Sequence, residues 1–402
     1  VKILHIIPSL QHPNVRGPHR HYHFLKELSQ RHQITLLTPL RAKVSAAVME
    51  EIASYTHKIL TFPVNGAREA KANGAKPGLP LFRGSRLDQL LHFNATVKIM
   101  KQAFTRLVQQ EAYDVVFFHG KSVFPVIADC RTLPIVTDFC DATSMRVRSK
   151  MNYAGKAKLP LLGLRYLQIR QIERKLINKT PHVAFISCRD REAILGAEDK
   201  SMVIPNGIDL AYWRRQTHRP QPNCLVFTGI MNYAPNEDAA LYLIDEILPC
   251  LKPVVPNLEI LIVGRDPTPA LLKSAQRHPE VTVTGFVDDM RTYLERATVF
   301  AAPLRFGSGM QNKIQEALAM EVPVITTSTA AAGLRTHDGQ DAPLYIADAA
   351  RPFAESVIKL LANPAEQTRL AAAGRQFAER NFSWPRSAAQ FEQMCLAAIN
   401  QN

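Results

Sequence analysis

The chain has 402 residues, of which 46% are hydrophobic and 21% charged, a make-up that fits a globular protein and excludes a disordered or membrane-spanning one. That length exceeds one ordinary core and suits two domains of about 200 residues each. Its net charge of +14 is unevenly placed: residues 1–200 hold 31 Lys and Arg against 15 Asp and Glu, residues 201–402 hold 18 against 20. A basic first half attracts phosphate-rich partners such as anionic lipid, lipid-linked diphosphates or anionic glycans. Nucleic acid is disfavoured, because only 7% of residues are aromatic and no basic stretch carries the interleaved aromatics of a strand-binding platform. The six cysteines are scattered without a C-x-x-C pair, which argues against a zinc ribbon or disulfide framework and for a reducing, cytoplasmic setting.

In chain order, VKILHII is apolar up to Pro8 and has neither a basic leader nor a small-residue cleavage site, so it reads as a strand, not a signal peptide. A helix follows at about 19–31. It opens with the run His19, His21, His23, which reads as an exposed helix start, since no second ligand pair accompanies it. Strands follow at QITLLT and KILTF. The segment 64–84, rich in Gly, Pro, Lys and Arg, reads as a long surface loop. A helix at about 85–112 leads to the strand DVVFFH, then PIVTDF, a helix at about 161–178, and HVAFIS. Residues 203–223 break the pattern with Pro, Gly and polar residues. The second half repeats the scheme with strands NCLVFTG, LEILIVG, VTVTG, TVFAAP, VPVITT and PLYIA. Residues 384–402 form a last amphipathic helix. The alternation predicts an α/β chain of two Rossmann-like, doubly wound domains facing a central cleft. The expected spans are 1–202, completed by the helix 384–402, and 203–383.

Ligands of open parallel sheets sit at the carboxyl ends of strands, so the residues after each strand are the first candidates. The sharpest is PLRFGSGMQNKIQEALAMEVPVITT, residues 303–327. Gly307, Ser308 and Gly309 turn the chain, and a helix begins near Met310. Glycines admit close backbone approach, and a helix N-terminus offers unpaired N–H groups to an anion. Lys313 adds a full charge, Arg305 a second, and Glu316 lies one turn on, where a carboxylate can accept two ribose hydroxyls. The same spacing also serves a plain glycine turn followed by a Lys313–Glu316 ion pair.

Residues 316–325, Glu-Ala-Leu-Ala-Met-Glu-Val-Pro-Val-Ile, resemble the donor-binding segment of retaining glycosyltransferases of the GT-B fold, the large group that includes sucrose-phosphate synthases and bacterial mannosyl transferases. VIPNGIDLAYW, LEILIVG and VTVTGFVDDM resemble further motifs of that group in order and spacing, and FTGIMNYAPNEDAALYLIDEILP is most similar to an exopolysaccharide-cluster branch. The resemblance implies transfer of a sugar from a nucleoside-diphosphate sugar to a glycan or lipid-linked acceptor, with no metal and no other cofactor. It implies that Glu316 holds the ribose, that Gly307 and Gly309 approach the diphosphate and Lys313 neutralises it, and that Phe286 lies beside the base. It also implies that His119 contacts the transferred sugar, although a histidine that merely caps a strand end fits the sequence too. Gly17 would belong to a glycine loop that closes over the donor. The chain departs from the pattern twice. The first of two family glutamates falls at Ser308, and the segment from Gly229 to Asn236 lacks the usual Arg and Lys, so Lys313 and Arg305 are expected to compensate. A nucleotide-sugar 2-epimerase and a non-catalytic sugar- or lipid-binding module remain as alternatives. The absence of D-x-D, of a Walker loop and of a G-x-G-x-x-G after the first strand removes support for metal-dependent single-domain transferases, ATP and NAD.

Overall fold

The structure, a computed structural model, describes all residues except 16–18, 41–43, 65–85, 197–200, 218–219, 337 and 402, and the side chains of 86–91. Gly17 and nearly all of the 64–84 segment therefore lie outside the described residues. The chain divides into two units, Val1–Cys140 with Gln168–Ala184 and Trp384–Asn402, and Asp141–Leu167 with Phe185–Ser383. Segments 141–167 and 185–202, which the sequence reading assigns to the first domain, count with the second unit.

The first unit is built on β1 (Lys2–Ile6), β2 (Gln33–Leu40), β3 (Lys58–Pro63), β4 (Val115–His119), β5 (Ile135–Cys140) and β6 (Val183–Phe185), in the spatial order β3-β2-β1-β4-β5-β6. The pairs β1 with β2, β1 with β4, β2 with β3 and β4 with β5 are parallel. The strands are continuous apolar runs because both faces of a parallel sheet are covered; Val115, Val116, Phe117 and Phe118 are fully buried. The sheet reverses its winding between β1 and β4, so His119 and Gly120 emerge at the switch point. Gly120 has φ +106°, and a Cβ there would meet the Pro8 ring at 2.6 Å, so this turn needs glycine.

The helix Arg20–Leu28 packs on this sheet and carries His21 inward, while His19 before it stays exposed. His21 is 1% exposed, not at an exposed helix start. The reason is the helix phase: Phe24 and Leu28 must face the sheet, and His21, one turn before Phe24, faces it too. His23 stacks on Trp384 with ring centroids 4.1 Å apart. The C-terminal helix Trp384–Asn400 completes the unit, with Phe391 against Phe24 at 4.7 Å and Phe117 at 4.8 Å. Arg31 donates twice to Glu392, at 2.9 and 2.7 Å.

The second unit contains the two-residue β7 (Met202–Val203) and a six-stranded sheet of β8 (Cys224–Thr228), β9 (Glu259–Val263), β10 (Val281–Gly285), β11 (Val299–Ala302), β12 (Val324–Thr326) and β13 (Tyr345–Ile346). Its order is β10-β9-β8-β11-β12-β13, all parallel, with the switch point between β8 and β11. Its core includes Phe227, Phe300, Phe353 and the helix residues Ile314 and Leu318, each no more than 1% exposed. The α/β class of two doubly wound parallel sheets is as the sequence predicts.

Candidate functional site

A cavity of about 510 Å³ opens at the carboxyl edge of the second sheet, beside its switch point. Three strand ends supply its wall: Thr228, Gly229 and Ile230 after β8, Gly264 and Arg265 after β9, and Phe286, Val287, Asp288 and Met290 after β10. Met310, Asn312, Lys313 and Glu316 close one side, and Tyr212 and Trp213 another, with Asn236 beside Gly229. Among the residues singled out from the sequence, the structure thus brings Gly229, Phe286, Met310, Lys313 and Glu316 together.

The backbone here is shaped by glycine. Gly264 has φ +145°, and a Cβ on it would lie 1.8 Å from the Gly229 carbonyl oxygen. A Cβ on Gly229 would lie 2.6 Å from Asn236 Nδ2 and 3.3 Å from Lys313 Nζ. Two strand ends therefore approach each other without side chains and leave their edges to the cavity. The helix starts at Asn312, two residues later than Met310. Lys313 and Glu316, three residues apart, both reach the cavity from it. Lys313 donates to Asn236 Oδ1 and lies over the Phe227 ring at 5.0 Å. Burial pushes its ammonium down to about 8, partly offset by Glu316, and pushes the Glu316 carboxyl up to about 7, partly offset by Lys313. Phe286 lines the cavity with its ring 71% exposed.

Arg305 does not line this cavity. It donates to Asp238 at 2.8 and 2.5 Å and lies 4.5 Å from the Tyr242 ring, so its charge is matched inside the protein, contrary to the compensating role expected of it. Arg265 occupies the cavity wall instead. Sequence reasoning passed over it, although its place directly after the strand–glycine unit LEILIVG was the available signal. Gly307, Ser308 and Gly309 also fall outside the lining. The turn is held from within the second unit: the Gly309 N–H donates to both oxygens of Asp190 at 3.1 Å, and Ser308 Oγ donates to Asp141 Oδ2 at 2.8 Å. Its most obvious anion donor is thus already bonded to a carboxylate.

His119 belongs to the first unit and ends β4. Its Nδ1 lies 3.0 Å from the Asp138 carbonyl oxygen, and its ring stacks on His21 at 4.2 Å. Around it, His5 Nε2 meets His21 Nδ1 at 3.0 Å, His21 Nε2 lies 3.0 Å from Asp138 Oδ2, and Arg20 Nε donates to the same oxygen at 2.8 Å. Burial lowers all three imidazoles, that of His21 to about 3, so they are neutral at physiological pH. Burial alone would raise Asp138, but Arg20 and then His21 hold it far below the usual carboxylate range. Ligand atoms of His21, His119 and Asp138 come within 4.8 Å of one another, a spacing open to a metal ion, but the Arg20 guanidinium already sits on the only carboxylate.

Residues 222–363 match the family described as Glycosyl transferases group 1. Glycogen synthase of Mycobacterium tuberculosis is 28% identical over 204 residues, 49% of this chain and 48% of that protein, so the chain spans about half the length of the curated relatives it matches. Solved structures agree over nearly the whole chain. Sucrose-phosphate synthase from Thermosynechococcus elongatus aligns with a TM-score of 0.70 at 15% identity, covering 100% of both chains. HepE of Anabaena, solved in complex with UDP and glucose, aligns with a TM-score of 0.64 at 13% identity, covering 98% of this chain and 99% of that one. The matched span contains β8 through the helix after β13, and so all of the cavity except Tyr212 and Trp213. Residues 222–363 thus form a domain that matches the group 1 glycosyltransferases, and the two parallel sheets have the GT-B fold of these solved neighbours.

Proposed function

We propose that the protein transfers a sugar, with retention of anomeric configuration, from a nucleoside-diphosphate sugar to a glycan or lipid-linked acceptor in exopolysaccharide or cell-envelope synthesis. One observation carries the reading: Lys313 and Glu316 enter the same cavity as the exposed ring of Phe286, which gives a cation, a hydroxyl acceptor and a stacking surface in one place. A nucleoside diphosphate needs these three. Phe286 stacks on the base, ionised Glu316 accepts from the ribose, and Lys313 with Arg265 faces the diphosphate. HepE's complex with UDP and glucose supports a nucleotide of this class.

In the transfer itself, the bond between the anomeric carbon and the diphosphate oxygen breaks, and negative charge grows on that oxygen. Lys313 and Arg265 stabilise it in place without reorganisation, the largest contribution a protein makes to such a step. The acceptor hydroxyl oxygen bonds to the anomeric carbon on the face the diphosphate leaves, and its proton passes to the departing diphosphate oxygen. His119, neutral and fixed through Nδ1, orients the sugar hydroxyls. No metal is required in this scheme, and activity should persist in chelator. The protein acts in the cytoplasm, and its basic first half draws it to an anionic membrane where a lipid-linked acceptor would sit.

A thermal-shift screen against UDP, GDP, ADP, TDP and CMP tests the donor site, because a ligand that binds only the folded state raises the melting temperature. One nucleoside diphosphate should stabilise the protein, and Glu316→Ala should abolish the shift. No shift with any nucleotide would overturn the reading. Turnover that proceeds without an acceptor would point to the epimerase.

A further inference from the structure

Within the second unit, residues 148–167 carry an apolar and basic face that no element among the described residues covers. In the first half of the helix Leu159–Ile177, Leu161, Leu164 and Leu167 are 71%, 56% and 64% exposed. Residues three apart are neighbours on a helix surface, so the leucines follow one another along it. Single exposed leucines are ordinary, but a row of three along one helix is the kind of patch that marks a binding surface.

The charge around the row says what it binds. Arg148, Lys150, Lys156, Lys158 and Arg165 are all exposed, and none of the five forms an ion pair with another described residue. From Ala142 to Lys179 the sequence has ten Lys and Arg against one acid, Glu173, which is buried. Apolar side chains framed by uncompensated cations match the boundary of a bilayer with anionic headgroups: leucines enter the acyl edge while lysine and arginine meet phosphate. The same charge disfavours a second copy of this chain, since a two-fold contact would press these cations against themselves. No helix among the described residues is long and apolar enough to cross a membrane, so the contact would lie along the surface.

We propose that Leu161, Leu164 and Leu167, with the exposed cations Arg148, Lys150, Lys156, Lys158 and Arg165 of the same stretch, are the face by which this protein lies on an anionic lipid surface. This deepens the membrane-facing part of the proposed function and rests on it, and it places the contact on particular side chains, not on the basic first half at large.

The test is co-flotation of the full chain at low salt with phosphatidylcholine vesicles, with and without phosphatidylglycerol. The unaltered protein should float with the anionic vesicles only. The combined variant Leu161→Ser, Leu164→Ser, Leu167→Ser should lose about tenfold or more of that binding. Lys156→Gln, Lys158→Gln, Arg165→Gln should bring binding on anionic vesicles down toward that on neutral ones. The leucines are exposed, so the variants should keep the melting temperature and any nucleotide-induced shift, which separates loss of lipid binding from loss of fold. Equal flotation of the unaltered protein and both variants would overturn the assignment of this face while leaving membrane attachment intact. Failure of the unaltered protein to float would overturn both. If sedimentation showed that the leucine variant only breaks up an oligomer, the face would belong to a second copy and the proposal would fall. Flotation without any nucleotide shift would instead sink the transferase reading and leave this one standing.

Discussion

Lys313 and Glu316 are each desolvated in the cavity wall, and that burial shifts both of them. Glu316 must be ionised to accept from a ribose, and burial puts that change at about 7; Lys313 must be charged to face a diphosphate, and burial lets its proton go at about 8. Nucleotide affinity should therefore rise with pH through about 7 and fall above about 8, a bell whose limbs report the free protein. Calorimetric titration across that range checks it, and Glu316→Gln should remove the acidic limb while weakening binding throughout. Stability carries the opposite sign for the carboxyl. The folded carboxyl is raised above its unfolded value, so its share of stability declines as pH rises toward about 7, where the charged form has to be buried. Arginine placement gives a second residue-scale outcome. Arg265→Ala should cost about tenfold in nucleoside-diphosphate affinity, the worth of one charge-assisted hydrogen bond. Arg305→Ala should change it by no more than about twofold, because Asp238 already holds Arg305. Equal losses from the two variants would show that this division is wrong.

At the scale of elements, the cavity depends on two strand ends touching through backbone. Gly264→Ala would place a methyl 1.8 Å from the Gly229 carbonyl at a φ that alanine rarely adopts, so it should destabilise the second unit by about 3 kcal/mol or more. Urea unfolding, followed by a probe in that unit, measures the loss, and nucleotide binding should fall with it. In the first unit, Phe391 is fully buried between Phe24 and Phe117. Phe391→Ala should cost about 3 to 5 kcal/mol and loosen the helix Trp384–Asn400 from its place on the helix Arg20–Leu28. Hydrogen exchange of the C-terminal helix would show the loosening directly. An unchanged exchange rate would mean that the helix is held elsewhere, for instance by Arg31 and Glu392.

For the whole molecule, the proposal makes turnover depend on donor and acceptor together. Lys313→Ala should lower kcat/KM by about a hundredfold or more, as loss of one preorganised cation at a leaving group does, without changing the fold. Full turnover in that variant would remove Lys313 from the reaction.

The two-sheet organisation was legible in the chain because parallel strands are buried on both faces and read as uninterrupted apolar runs; each run named from the sequence corresponds to a strand, usually within a residue or two. That Lys313, Glu316, Phe286, Met310 and Gly229 gather at one cavity was legible for a related reason. Chemistry in such sheets gathers at strand ends, and strand ends are marked in sequence. What could not be read were pairings between side chains far apart in the chain. Arg305 looks as free as Arg265 until Asp238 is seen beside it, 67 residues earlier. Ser308 and Gly309 look open until Asp141 and Asp190 are found on them. His21 looks exposed until helix phase turns it toward His5 and Asp138. Pattern along the chain is fixed by local propensity and by the period of burial, so the sequence itself determined the strands, the fold class and where the candidate site would fall. Which charges remain available to a ligand depends on the nearest carboxylate in space, and only the tertiary structure decided that.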